Sequence, residues 1–112
     1  MEKEVSVLVT LLREAADFLS RFEEEHWGTQ LKEVRWLLLV SDFRGIERLL
    51  SLFGGAGSLN DLYIHPTNGH KLAAFEAGRV NTQLEKLRIS LFNLAEDIRR
   101  KALIESLAQN EH

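Results

Sequence analysis

The side chains best suited to chemistry are concentrated in one segment, from Phe53 to His70, which reads FGGAGSLNDLYIHPTNGH. Its glycine-rich start beside Ser58 could hold a phosphate group through bare backbone amides. However, the segment has neither the lysine nor the preceding strand of a P-loop. We therefore expect the glycines to serve the backbone itself, by allowing positive φ and close approach where the loop begins.

Metal binding is a second chemistry that these residues suggest. Asp61, His65 and His70, with His26 from elsewhere, could supply oxygen and nitrogen ligands to zinc or another divalent cation. No two of these histidines lie four residues apart on a predicted helix, so a surface or loop-bracing role is the plainer interpretation. The chain has no cysteine, which excludes thiolate metal sites and a cysteine nucleophile.

Hydrolytic chemistry would require a carboxylate such as Asp61 or Asp97 beside a histidine base, a geometry that spacing alone cannot establish. No G-x-S-x-G or H-E-x-x-H motif is present. We therefore predict that the protein is not an enzyme, with no catalytic residue, cofactor or metal ligand of its own.

The elements that must position this segment are helices. Two apolar stripes recur at alternating spacings of three and four, which is typical of amphipathic helices. They contain Val5, Leu8, Leu12, Ala15, Leu19 and Phe22 in the first case, and Ala73, Ala77, Val80, Leu84, Leu87, Leu91, Leu94 and Ile98 in the second. The first predicts a helix from Glu2 to Glu25, and the second a long last helix with a kink or an early boundary at Gly78. Two such helices pack best in an antiparallel arrangement.

Two further helices are predicted between them. One, from Gly28 to Ser41, is apolar on most sides and therefore central. A short third helix follows the N-cap residues Ser41 and Asp42 and ends at Phe53, before Gly54 and Gly55. The prediction is one all-α domain spanning residues 1–112, a bundle of about four helices with an ordered loop at 53–70 between the third and fourth.

Composition restricts the partners. Hydrophobic residues make up 45% of the chain and charged residues 28%, with a formal net charge of −3, so a nucleic-acid partner is not expected. No apolar run is long enough to span a membrane, and no signal peptide opens the chain, so we expect a cytoplasmic protein. Residues 1–25 hold seven acids against three bases, a net charge of −4.

Three consecutive acids, Glu23, Glu24 and Glu25, fall at the predicted end of the first helix, where the helix dipole disfavours negative charge. A basic partner would offset this unfavourable interaction with the helix dipole. The competing interpretation is a solvated acidic face that favours solubility.

The run from Phe53 to Leu62, F-G-G-A-G-S-L-N-D-L, resembles a family of small uncharacterised bacterial helical proteins. The resemblance extends to about residues 20–100 and includes His26-Trp27, the segment Asp42 to Gly45, Asn68-Gly69-His70 and the helix from Leu84 to Arg100. Such proteins look like immunity proteins of polymorphic-toxin or interbacterial-competition systems. The resemblance implies a cytosolic protein that binds one toxin and blocks it, and it carries over no catalytic residue.

We therefore predict a surface that binds a cognate toxin, which would be basic if the acidic residues make the contact. Its candidate residues come from the acidic run and from the loop: Glu23, Glu24, Glu25, Trp27, Gly55, Ser58, Asn60, Asp61 and Tyr63. The alternative is a self-associating structural or regulatory module, a homodimer formed by the apolar residues Leu103, Ile104 and Leu107 at the end of the last stripe.

Overall fold

The computed structural model describes residues 1–110, and within that range the chain forms four α-helices and no β-strand. The all-α prediction is confirmed. The helices are α1 (Glu2–Arg21), α2 (Glu25–Leu39), α3 (Arg44–Ser51) and α4 (Ala77–Asn110).

The predicted antiparallel frame is present. Near the start of α1, Glu4 Oε1 lies 3.0 Å from Lys101 Nζ, late in α4. Just past the end of α1, the carbonyl of Phe22 accepts a hydrogen bond from the amide of Lys71, shortly before α4 begins. α1 and α4 therefore run in opposite directions, and their apolar stripes share one core. The largest fully buried side chains of that core are Leu8, Leu12, Phe18, Leu19, Leu31, Val34, Leu49, Leu59, Ile64, Leu91 and Ile98.

The first helix ends earlier than predicted, at Arg21 rather than Glu25. The chain turns at Glu23, which has a φ of 60°, and Glu24 becomes the N-cap of α2. The carboxylate of Glu24 accepts the amide hydrogen of Trp27 at 3.0 Å, which satisfies one of the free donors at a helix start. This local bond, which apolar periodicity does not reveal, decides the boundary.

α2 begins three residues before the predicted Gly28 and ends at Leu39 rather than Ser41. The prediction that this helix is central is wrong, because only one of its faces is buried. Trp36 is 62% exposed, and Leu39 and Val40 are about half exposed. The turn that follows places Ser41 at a φ of 61°, so that residue cannot continue a helix.

The third helix is shorter at both ends than predicted. α3 begins at Arg44 and stops at Ser51, two residues before Phe53. Its Gly45 lies close to α2, since a Cβ atom there would stand 3.1 Å from Leu38 and 3.2 Å from Leu37. Glycine at this position allows the two helices to meet across a short turn.

The loop after α3 is ordered, as predicted. It contains 3₁₀ turns at Leu59–Asp61 and Pro66–Asn68, and another at Ala74–Glu76 leads into α4. Leu59 and Ile64 anchor it in the core. Gly78 lies in the first turn of α4 and marks the helix start rather than a kink.

The last turns of α4 extend past the core. Ile98 is its last buried residue, and every residue from 103 to 110 is exposed. No helix within residues 1–110 has both the length and the apolar character that crossing a membrane demands.

Candidate functional site

The acidic run joins the α1–α2 turn to the loop. Glu24 is nearly buried, and its two carboxylate oxygens have different partners. Oε2 accepts the amide of Trp27, while Oε1 lies 3.3 Å from Nε2 of His70, at the far end of the loop. Glu24 is therefore a link within the fold as well as a candidate contact.

Hydrogen bonding fixes the tautomer of His70. Its Nδ1 accepts the backbone amide hydrogen of His65 at 3.0 Å and so carries no proton. The ring proton then resides on Nε2 and is donated to Glu24. Since both ring nitrogens are engaged inside the protein, His70 braces the loop and offers no free nitrogen as a base or a metal ligand.

The unfavourable dipole interaction expected for the acidic run is absent, because the helix boundary lies elsewhere. Glu24 and Glu25 stand at the start of α2, where the helix dipole favours negative charge. Glu23 is exposed in the turn, with Oε1 3.9 Å from Lys71 Nζ. The unfavourable interaction predicted for the three acids therefore does not apply to Glu24 and Glu25, and Glu23 has a basic neighbour in Lys71.

Several predicted loop residues hold the loop in shape. Ser58 Oγ accepts the amide of Asn60, and the Asn60 side chain donates to the carbonyl of Phe53 at 2.8 Å. Asp61 Oδ2 accepts the amide of Gly57 at 2.6 Å. These bonds close the glycine-rich turn on itself, so its amide at Gly57 is directed at a carboxylate rather than at a ligand.

Two α4 residues that the sequence analysis missed fasten the loop to the bundle. Asn81 pairs with the backbone of Ile64 through two hydrogen bonds. Arg88 Nη1 donates to the carbonyls of Leu59 and Leu62 at 3.0 and 2.9 Å, and its side chain is only 11% exposed. The sequence did contain a signal for both residues. They are seven positions apart and adjoin the apolar stripe of α4, which places them on the side of the helix that packs against the rest of the bundle.

Five of the nine predicted contact residues line one small cleft between the start of α2 and the loop: Glu24, Trp27, Ser58, Asp61 and Tyr63. Gly57, Leu62, Asn68 and His70 also line it. Tyr63 is half exposed and stacks on His65, while Trp27 is partly buried against the core. We call this feature the α2–loop cleft.

The other four predicted residues do not line this cleft. Glu23 and Glu25 are exposed at the α1–α2 turn, and Gly55 is exposed at the outer end of the loop with a φ of 74°. Asn60 is turned toward the carbonyl of Phe53. Of the predicted acidic residues, Glu24 and Asp61 therefore line the cleft, whereas Glu23 and Glu25 lie outside it.

The four residues considered as metal ligands, Asp61, His65, His70 and His26, do not form a site in the described part of the chain. Across residues 1–110, no three histidine or carboxylate side chains come together closely enough to hold a metal ion. His65 Nδ1 instead accepts the amide of Thr67, and His26 contacts Gln30 and the ring of Trp27.

The structure thus defines a small all-α bundle with an ordered, internally bonded loop. Residues 20–73 match the model of a domain of unknown function (DUF6966). No curated protein and no solved structure matches the chain. The matched segment runs from the end of α1 to the end of the loop, and the contact between Glu24 and His70 joins its two ends.

Proposed function

We propose that this chain is an immunity-type protein that binds a cognate toxin and neutralises it by occlusion. The observation that supports the proposal is the α2–loop cleft, which is lined by two acidic residues, Glu24 and Asp61, and by two aromatic residues, Trp27 and Tyr63. In this proposal the protein acts in the cytoplasm and needs no chemistry of its own.

The cleft has the composition of a protein-binding hot spot. Tryptophan and tyrosine are enriched among the residues that carry binding energy in interfaces. A carboxylate beside an aromatic ring suits an arginine or lysine side chain, which gains both charge pairing and a cation–π contact. We therefore infer that the toxin inserts a basic side chain next to Tyr63 and Asp61.

Charge elsewhere in the chain favours the same partner. Residues 1–25 carry a net charge of −4, and Glu23 and Glu25 are exposed beside the cleft. Such a field attracts a cationic protein before contact and raises its association rate, an effect that salt weakens. A basic nuclease or another cationic enzyme would fit this charge.

Inhibition by occlusion also benefits from a rigid surface, since little conformational entropy is then lost on binding. The cleft meets this condition because His70, Asn81 and Arg88 all fasten its loop by hydrogen bonds. Tyr63 lies between these fastened points and keeps half of its surface exposed.

Co-expression with the product of the neighbouring open reading frame tests the proposal. We expect that protein to arrest growth when expressed alone, and this chain to restore growth and to co-purify with it. Tyr63→Ala should weaken binding at least tenfold. Phe75→Ala is the matched control, because Phe75 is an aromatic residue with 90% exposure outside the cleft. Absence of both complex and protection would overturn the proposal.

A further inference from the structure

The side of α4 that faces away from the core carries a second periodic pattern. Six residues at alternating spacings of four and three form it, and we call them the outer stripe: Ile89, Asn93, Glu96, Arg100, Leu103 and Leu107. Such spacing aligns side chains along one side of a helix. None of the six is buried, and Ile89, Leu103 and Leu107 are 51%, 60% and 57% exposed. Within residues 1–110 the outer stripe is left uncovered, and its first four residues line an open groove beside α1.

The outer stripe is complementary to itself when a second α4 runs antiparallel to the first. With the twofold axis level with Ile98, Ile89 faces Leu107 of the second copy, and Leu103 faces Asn93. Glu96 then faces Arg100 of the second copy. Because a twofold axis repeats every contact, each of these pairs forms twice.

Charge selects this antiparallel arrangement over a parallel one. In a parallel pair, Glu96 would face Glu96 and Arg100 would face Arg100, and such like-charged pairs oppose association. Within residues 1–110, Glu96 forms an ion pair only with Arg99, and Arg100 only with Asp97, all on the same helix surface. Exposed pairs of this kind contribute little to stability, so both side chains are available to a partner.

The residues closest to the axis do not oppose the pairing. Asp97, on one flank of the outer stripe, is already bound by Arg100 and Lys101. Arg99, on the other flank, is bound by Glu96, whose two carboxylate oxygens can also accept from Arg100 of the second copy. The twofold axis brings Asp97 near its own copy and Arg99 near its own copy. Each of these charges is already neutralised by an ion-pair partner on its own helix.

The apolar end of the outer stripe has a receiving surface. Ile89 lines an open groove between α1 and α4, together with Val7 and Leu11 of α1. Val7 is half exposed there. Leu107 of the second copy would cover both Ile89 and Val7, which removes apolar surface from water on each side of the axis.

We propose that the protein forms a twofold dimer through antiparallel pairing of the outer stripes of α4, in the register that sets Glu96 opposite Arg100 of the second copy. The occupant of this face is thus a second copy of the chain. The outer stripe shares no residue with the α2–loop cleft, so the inference stands independently of the toxin-binding proposal.

Sedimentation velocity over a range of protein concentrations tests the dimer and its register. We expect the wild-type chain to dimerise, and Glu96→Arg and Arg100→Glu each to raise the dimer dissociation constant at least tenfold. The double variant E96R/R100E should restore it to within about threefold, since the charges are merely exchanged. Glu47→Arg, on the exposed side of α3, is the control and should leave dimerisation unchanged.

Disulfide trapping provides a second readout, because the natural chain has no cysteine. Mixed Ile89→Cys and Leu107→Cys variants should crosslink on oxidation, whereas mixed Ile89→Cys and Leu103→Cys variants, one helical turn out of register, should crosslink at least tenfold more slowly. A wild-type monomer at every concentration would overturn the proposal. A dimer that ignores both charge reversals, or crosslinks only in the second mixture, would overturn the register.

Discussion

Asn81 on α4 pairs with the backbone of Ile64 as a neighbouring β-strand would. Its Oδ1 accepts the amide hydrogen of Ile64 at 2.8 Å, and its Nδ2 donates to the carbonyl of Ile64 at 2.8 Å. Buried backbone groups need hydrogen-bond partners. For Ile64, which belongs to no sheet, a side chain of α4 supplies both partners. This pair lets the fully buried Ile64 anchor the loop in a helical core.

Replacing Asn81 by alanine should therefore destabilise the protein by about 2–3 kcal/mol, because both polar groups of Ile64 lose their partner. Asn81→Asp should also destabilise the protein, because an oxygen replaces the amide nitrogen that donates to the carbonyls of Ile64 and Ala77. Gln83→Ala, on the exposed side of the same helix turn, is the control and should change stability by less than about 0.5 kcal/mol. Urea unfolding monitored by circular dichroism measures all three.

The guanidinium of Arg88 offers a second test of how the loop is held. Arg88→Lys keeps the positive charge but loses the geometry that reaches the carbonyls of Leu59 and Leu62 together. We expect a loss of about 1–2 kcal/mol and faster hydrogen exchange at loop amides. Arg79→Lys, at a position where the side chain is 77% exposed, should have no measurable effect. Equal effects of the two changes would contradict the role assigned to Arg88.

The tautomer of His70 can be observed directly. Nitrogen-15 NMR at neutral pH should show Nε2 bearing the proton and Nδ1 as an acceptor, since Nδ1 accepts the amide of His65. Glu24→Gln should weaken the contact to Nε2, because a neutral amide oxygen is a poorer acceptor than a carboxylate. A proton found on Nδ1 in the folded protein would refute this bonding scheme.

Acid should weaken the contact between the start of α1 and the end of α4. The ammonium group of Lys101 donates a hydrogen bond to Glu4, which is the largest cause lowering the pKa of Glu4 from 4.5 to about 2. A carboxylate whose pKa is lowered by folding adds stability above pH 4.5, and this contribution is lost as the pH falls toward 2. The carboxyl carbon-13 resonance of Glu4 should therefore titrate near pH 2 rather than near pH 4.5.

Removing this group gives the corresponding stability test. Glu4→Gln should flatten the dependence of unfolding free energy on pH between 4.5 and about 2. Lys101→Met removes the same pair from the other side and should flatten the slope in that range as well. An identical slope in wild-type and Glu4→Gln protein would contradict the assigned pairing with Lys101.

Much of the fold could be predicted from spacing alone, because a helix is a local structure whose apolar residues must recur every three or four positions. The stripes ending at Phe22 and Ile98 therefore indicated two long antiparallel helices. Predicted boundaries failed where a single polar bond decides the end of an element. Glu24 lies within the first helix as predicted from the sequence, yet in the structure its bond to the amide of Trp27 begins a new helix.

The sequence by itself determined that the chain forms about four α-helices, that the loop at 53–70 is ordered and that negative charge is concentrated in residues 1–25. The tertiary structure alone decided which polar groups meet. Glu24 and His70 are 46 residues apart, and Arg88 and Leu59 are 29 apart. Such pairs depend on the path of the whole chain, whereas local spacing carries no information about it. For the same reason, the sequence showed the spacing of Leu103 and Leu107, but only the packed bundle showed that this side of α4 is left uncovered.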